Sequence, residues 1–297
     1  MAWTRADFCD PSVLIYALRD ETLGELDGVI GLERFSLPSL ERDIPAIREE
    51  LTRGRGFVLL RGMPVDRYSE AELSMLYWGL GALIGRPLPQ NVKGDRLYAV
   101  RDEGQNIATQ YGQVGVRFSK TREGLHFHTD SAPVLMGSTP DVIGLFALQV
   151  AKVGGESALV SACAAHNAML EERPHLLERL YQPFHIDRSM EWREGESKTL
   201  FAPVFTYWNS LQVRYFRYYI PKGHAVAGVP FTSEDEAALD YFDSVMERPE
   251  LQVTFEMQRG DIQLVSNNYV LHARTPFEDW PEPERKRHLK RLWIQFG

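Results

Sequence analysis

At 297 residues, with 44% hydrophobic and 25% charged side chains, the chain has the balance of an ordinary globular protein and enough length to enclose a site within a core. A net charge of −8 with no basic stripe to displace phosphate counterions argues against a nucleic-acid partner. Two cysteines, Cys9 and Cys163, are too few for a disulfide-built secreted scaffold. The first residues lead into no apolar run of signal length and no stretch approaches a membrane span. The expectation is therefore a cytoplasmic protein with no membrane partner.

In chain order, Ile44, Ile47 and Leu51 recur at helical spacing among acids and arginines, so Leu40 to Thr52 reads as an amphipathic helix. Gly54-Arg55-Gly56 stops it, and Phe57-Val58-Leu59-Leu60 reads as a buried strand. Ser69 and Glu72 make a Ser-x-x-Glu capping signature, which predicts a helix over Ser69 to Leu83. The apolar run within Asp141 to Val150 suits a central strand, Gly154-Gly155 a turn, and Ser157 to Val160 a further strand. Helical spacing returns between Ala164 and Tyr181 and over Ser233 to Met246. Aromatic and β-branched residues from Phe201 to Ile220, and the runs Ile262 to Val265 and Leu292 to Phe296, read as extended. Strands with inserted helices and no strict βαβ alternation predict an α+β fold around a β-sandwich or barrel. We expect one domain over residues 1–297, with a helical lead-in over about 1–53 and helical insertions over about 164–181 and 233–246.

The residues that carry chemistry are His128-Thr129-Asp130 and a distant His272. On an extended strand, His128 and Asp130 project to one face. A second imidazole completes a two-His, one-carboxylate set that leaves coordination positions open and suits a non-haem Fe(II). His126 lies two residues before His128, hence on the same face of a regular strand, and is the rival for the first ligand. Arg287 and Arg291, four apart ahead of the last strand, also share a face. An arginine planted in a β-core must meet an anion, and a dicarboxylic co-substrate would satisfy it.

Four patterns in order, Phe127-His128-Thr129-Asp130, Gly154-Gly155-Glu156-Ser157, Val270-Leu271-His272-Ala273-Arg274 and Arg287-His288-Leu289-Lys290-Arg291, give the chain its resemblance. Together with the strand around Gly56 to Gly62, they resemble the taurine dioxygenase and chlorophenoxyacetate dioxygenase family of Fe(II)- and 2-oxoglutarate-dependent oxygenases, from about residue 50 to the end. The resemblance implies a double-stranded β-helix (a jelly roll, clavaminate synthase-like) with helices packed outside. It implies Fe(II), 2-oxoglutarate and O2 as cofactor and co-substrates, and hydroxylation of an unactivated C–H bond in a small-molecule substrate. Matched residue by residue, His128, Asp130 and His272 are the metal ligands and Arg287 grips the distal carboxylate of 2-oxoglutarate. Ser157 stands where the family's pattern has threonine and keeps the hydroxyl that bonds the same carboxylate, and Arg291 matches an arginine near the mouth of the site that touches the proximal carboxylate of 2-oxoglutarate or the substrate. The intact Asp130 argues against the halogenase variants.

Substrate contacts are less legible. His126, Asn268, Arg117 and Trp208 are the candidates, and Val100 to Gly124 reads as a candidate lid. His166 and His185 lack ligand spacing and read as structural. Desaturation, cyclisation or epoxidation is an alternative outcome of the same cofactor chemistry. A cupin-like isomerase or sensor would keep the triad without needing Arg287 and Ser157. A homo-oligomer is left open by the sequence.

Overall fold

A computed structural model describes residues 2–30, 35–111, 113, 116–131, 139–189 and 191–297. Its centre is a pair of β-sheets between which the chain repeatedly crosses. The larger sheet runs in the order Ile15–Ala17, Phe57–Arg61, Ile262–Ser266, Val142–Gln149, His288–Gln295, Arg86–Pro87, and Leu97–Val100 also pairs with the His288–Gln295 strand. The smaller has the order Gln252–Phe255, Ser157–Ser161, Val270–Arg274, Leu125–His128. From Leu125 onward, successive core strands alternate between the sheets except where the helical insertion intervenes, which is the winding of the expected jelly roll.

Period-two alternation decides what each strand offers the interior. Phe57, Leu159, Val265 and Val270 point inward and close one end with Trp3 and Phe8. Their neighbours Val58, Leu60 and Leu264 pack outward beneath the amino-terminal helices, and Val160 and Leu271 beneath the insertion. The other end holds polar residues instead. On the last strand, Leu292 and Ile294 face the helix Glu70–Ile84, while Arg291 and Trp293 face inward. That helix starts where its signature predicts, with Ser69 capping the Glu72 amide and Glu72 accepting from the Ser69 amide.

The sequence expectations shift in three places. The lead-in holds the helices Asp20–Val29 and Ile44–Thr52, but also the strand Ile15–Ala17, paired parallel to Phe57–Arg61. The first insertion is two helices, Ala162–Glu172 and Pro174–Leu180, because proline cannot continue the first. The extended reading over Phe201 to Ile220 ends at Val213, and Tyr219–Ala227 is a helix. Its aromatic start mimics a strand, but Gly223 brings the helix flat against the strand Phe184–Asp187. A Cβ there would stand 2.3 Å from the His185 carbonyl oxygen. No helix among the described residues is long and apolar enough to cross a membrane.

Candidate active site

His128 ends its strand directly opposite His272 on Val270–Arg274. The two rings lie 4.2 Å apart between centroids. The backbone turns at Ser131, whose φ of 59° is left-handed, just after it delivers Asp130. One Asp130 oxygen, Oδ1, sits 3.4 Å from His128 Nε2 and 3.8 Å from His272 Nε2. The other, Oδ2, accepts from Arg291 Nη1 at 2.9 Å and from Trp293 Nε1 at 2.8 Å. The carboxylate is thus divided into a ligand atom and an anchored atom. His128 Nδ1 lies 2.9 Å from the His126 carbonyl. As a donor there, it leaves the Nε2 lone pair free for a metal.

One potential ligand atom from each of the three residues lies within 4.8 Å of the others, and all three are buried. Burial pushes the His272 imidazole down to about 3, with repulsion from His128 adding to it, so this ring is neutral at ordinary pH. Burial raises the Asp130 carboxyl, but Arg291 and the two imidazoles outweigh that and hold it well below the usual carboxylate range. Two imidazoles and one carboxylate, with their potential ligand atoms converging, fit a divalent transition metal.

The triad is held from behind. Asn267 accepts from the Asp130 amide at 2.9 Å and donates to the Asp130 carbonyl at 3.0 Å. The Thr129 amide donates to the Tyr215 carbonyl at 2.7 Å, and the Tyr215 amide donates to Thr129 Oγ1 at 3.0 Å. Tyr215 is fixed in turn through its hydroxyl, 2.6 Å from Asp243 Oδ1. Burial pushes the Asp243 carboxyl up to about 6. A carboxyl raised above its unfolded value favours the fold while protonated, and that contribution is lost as pH rises through about 6. Asp243→Asn, neutral throughout, is expected to melt above wild type at pH 7 by on the order of 2 kcal/mol. The two should converge towards pH 4 in thermal scans at stepped pH, and parallel curves would refute the assignment.

Before the triad opens a cavity of about 550 Å³ whose wall includes His128, Asp130, Phe216, Tyr219, Arg291 and Trp293. Six arginines line it (Arg86, Arg96, Arg117, Arg188, Arg193 and Arg291) against three carboxylates, Asp130, Glu191 and Glu196. The expected 2-oxoglutarate residues stand to one side. Arg287 lines a smaller cavity of about 100 Å³ with Gly154, Gly155 and Leu289. Its Nη1 is buried and meets no hydrogen-bond partner among the described residues. Burial pushes Arg287 down to about 9, and repulsion from Arg274 contributes. Ser157 is paired across the sheet with Arg274 and is buried. Gly154 and Gly155, with φ of 74° and 75°, turn the backbone against Arg287, whose Nε would lie 3.3 Å from a Cβ at Gly155. Two guanidiniums close to one another, Arg287 buried and Arg274 half-buried, each with an N–H unanswered among the described residues, fit an anionic group.

Arg117 lines the main cavity. So do Val116, Phe118 and Ser119 of the candidate lid, while residues 112, 114 and 115 lie outside the described ones. Arg291 is nearer the metal triad than expected, bonded to Asp130 and, through Nε at 2.7 Å, to Gln90. Three substrate candidates are corrected. His126 is 88% exposed and lies 3.7 Å from Glu247. A bulge explains it: His272 pairs with His128 but Arg274 with Leu125, so two residues oppose one and the alternation resets. Trp208 is 85% exposed, at the tip of the hairpin between Phe205–Tyr207 and Leu211–Val213, away from the cavity. Asn268 donates to Asp141 at 3.1 Å and does not line the cavity. His166 and His185 bond Tyr181 and Thr199, as structural histidines do. Missed by the sequence reading are Trp293, Gln90 and Phe216. Of these, Trp293 was within reach, since it continues the alternation of Arg287 and Arg291.

Residues 20–293 match the family described as taurine catabolism dioxygenase TauD, TfdA family. The chain belongs to this family. It is 32% identical to FR-33289 synthase of Streptomyces rubellomurinus, over 98% of this chain and 88% of that protein. It is 26% identical to taurine hydroxylase-like protein SAT17 of Stachybotrys chartarum, over 97% and 73%. Among solved structures, an asparagine oxygenase in complex with Fe(II), 3-hydroxyasparagine and succinate superposes with a TM-score of 0.73 at 17% identity, covering 95% of this chain and 93% of that one. The non-heme iron oxygenase OrfP, in complex with Fe and alpha-ketoglutaric acid, gives a TM-score of 0.67 at 17% identity, covering 95% and 94%. These likenesses confirm the fold. The protein is an Fe(II)- and 2-oxoglutarate-dependent dioxygenase.

Proposed function

We propose that His128, Asp130 and His272 hold the iron, that Arg287 and Ser157 hold the distal carboxylate of 2-oxoglutarate, and that the product is an alcohol. The observation that carries this reading is the buried triad whose three potential ligand atoms converge within 4.8 Å. When bound, iron and 2-oxoglutarate would let O2 act as the oxidant, with one oxygen atom ending in succinate, released with CO2, and the other in the product. The chain's own residues do the placing. Arg291 and Trp293 fix one Asp130 oxygen, so a single oxygen faces the metal position. Arg287, at the last residue before the strand that carries Arg291, supports a reading in which 2-oxoglutarate lies along that strand. The main cavity, walled in part by Phe216 beside the His128 ring at 4.8 Å, leaves room for substrate at the metal face. The free thiols Cys9 and Cys163 are in keeping with a reducing cytoplasm.

Adding Fe(II) and 2-oxoglutarate without air is expected to produce a weak visible charge-transfer band. His128→Ala should remove it and His126→Ala should leave it; the reverse pattern would overturn the ligand assignment. Succinate release on admitting O2 separates this chemistry from a cupin-like isomerase or sensor. Product mass separates hydroxylation, which adds one oxygen, from desaturation, which removes two hydrogens.

A further inference from the structure

The protein as a whole is acidic, yet arginines outnumber carboxylates on the wall of its main cavity. A cleft of one sign within a surface of the other focuses ligands of the opposite charge. The arginines are not equivalent. Arg291 is committed to Asp130 and Gln90. Arg188 is committed to the carbonyls of Ser197 and Glu191 and to Glu196, which fold its own loop. Arg117 differs, because among the described residues its guanidinium has one hydrogen-bond partner, Glu191, itself a lining residue of the cavity.

This pair has the form of an occupied anion seat. Both side chains are mostly buried, at 20% and 22% exposure. Glu191 presents one oxygen to Arg117 and the other to the Val92 amide at 3.0 Å, so one carboxylate ties three wall segments together. Arg117 also stands close to the metal triad. Its guanidinium lies 6.0 Å from the Tyr98 ring and that of Arg291 lies 5.3 Å from the same ring, so one aromatic side chain relates Arg117 to the residue that holds Asp130. An anion on Arg117 would have the rest of a small molecule between itself and the triad.

We propose that Arg117 is a specificity-determining residue that takes an oxyanion head group of the substrate, a carboxylate, sulfonate or phosphonate, in exchange for Glu191. The inference rests on the reading that this cavity receives the substrate. A planar guanidinium binds any of these groups through paired hydrogen bonds, and Glu191 serves as the internal ligand that keeps Arg117 paired until substrate arrives. Exchange releases the Val92 and Arg117 contacts of Glu191 together, so seating of the head group is coupled to loosening of the wall.

The test is calorimetric titration of the full chain, without iron or 2-oxoglutarate, with propionate, methanesulfonate and methylphosphonate at fixed ionic strength. At least one probe is expected to bind with unit stoichiometry, and the preferred one identifies the head group. Arg117→Gln should weaken it ten-fold or more, with Arg117→Lys recovering part of the loss. Glu191→Gln should strengthen it several-fold by removing the resident competitor. The proposal is overturned if no probe binds, if Arg117→Gln leaves binding unchanged, or if Glu191→Gln weakens it as a merely structural pair would. A probe seated at Arg287 would ignore both substitutions and counts against the proposal. Because neither cofactor is present, failure here leaves the charge-transfer result standing, and a missing charge-transfer band leaves this titration standing.

Discussion

Asp130→Ala is expected to abolish ferrous ion binding and, separately, to destabilise the metal-free protein. The two effects come from different oxygens of one carboxylate. Oδ1 faces the two imidazoles, and its removal leaves a pair of neutral nitrogens with no anionic donor to balance a divalent charge. The loss in affinity should exceed the roughly 10–100-fold that follows from removing an outer partner of a ligand. Oδ2 answers Arg291 and Trp293, both buried. Without it the Arg291 guanidinium keeps Gln90 but no counter-charge, and breaking a buried pair from one side costs about 3–5 kcal/mol. Asp130→Asn should separate the two effects, since the amide keeps shape and accepts one of those hydrogen bonds while losing the charge. We expect it to melt between alanine and wild type and still to bind iron poorly. Metal content by equilibrium dialysis and melting of the metal-free proteins read the two terms independently. Full metal occupancy in Asp130→Ala would refute the assignment.

What the sequence made legible follows from the range over which each feature is encoded. His128 and Asp130 are two residues apart, and the site is built from their proximity, so a local pattern carried the information. His272 is distant in sequence but is brought opposite His128 by direct strand pairing, and its motif places it on a strand. His126 was misplaced because alternation assumes a regular ladder, and the bulge opposite Ala273 is set by the register of two distant strands. Trp208 was misplaced because aromatic residues in an extended stretch signal β-structure equally at a hairpin tip and in a core. Glu191 and Arg188 carry no periodic signal at all. They belong to the irregular stretch after Phe184–Asp187, and only the packing of three separate segments brings them to the cavity wall. The fold itself was legible because Gly154-Gly155, the buried runs and the capping signatures agree with one another at each level.

Arg287→Met is expected to do opposite things to binding and to stability. In the ligand-free protein the guanidinium is buried, repelled by Arg274 and left with an N–H that no described residue accepts. Burial without a direct ion pair, Asp279 attracting it only at longer range, is unfavourable by several kcal/mol, and methionine fills a similar volume against Phe277, whose ring lies 5.1 Å from the guanidinium, without that penalty. The ligand-free variant should therefore melt at or above wild type, by a few degrees if one or two kcal/mol are recovered. With Fe(II) and 2-oxoglutarate under nitrogen the order should invert. Ligand at 100 times its dissociation constant stabilises the wild type by about 2.7 kcal/mol. The variant, lacking the group that answers the distal carboxylate, should show no such shift at the same concentration. Arg274→Met serves as the contrast, because Arg274 also donates to the Thr121 and Glu123 carbonyls and ties down the segment before His126. Its loss should lower the melting temperature in both states. If Arg287→Met instead melts well below wild type without ligand, the guanidinium is a structural element of the fold, and the anion that it awaits is not 2-oxoglutarate.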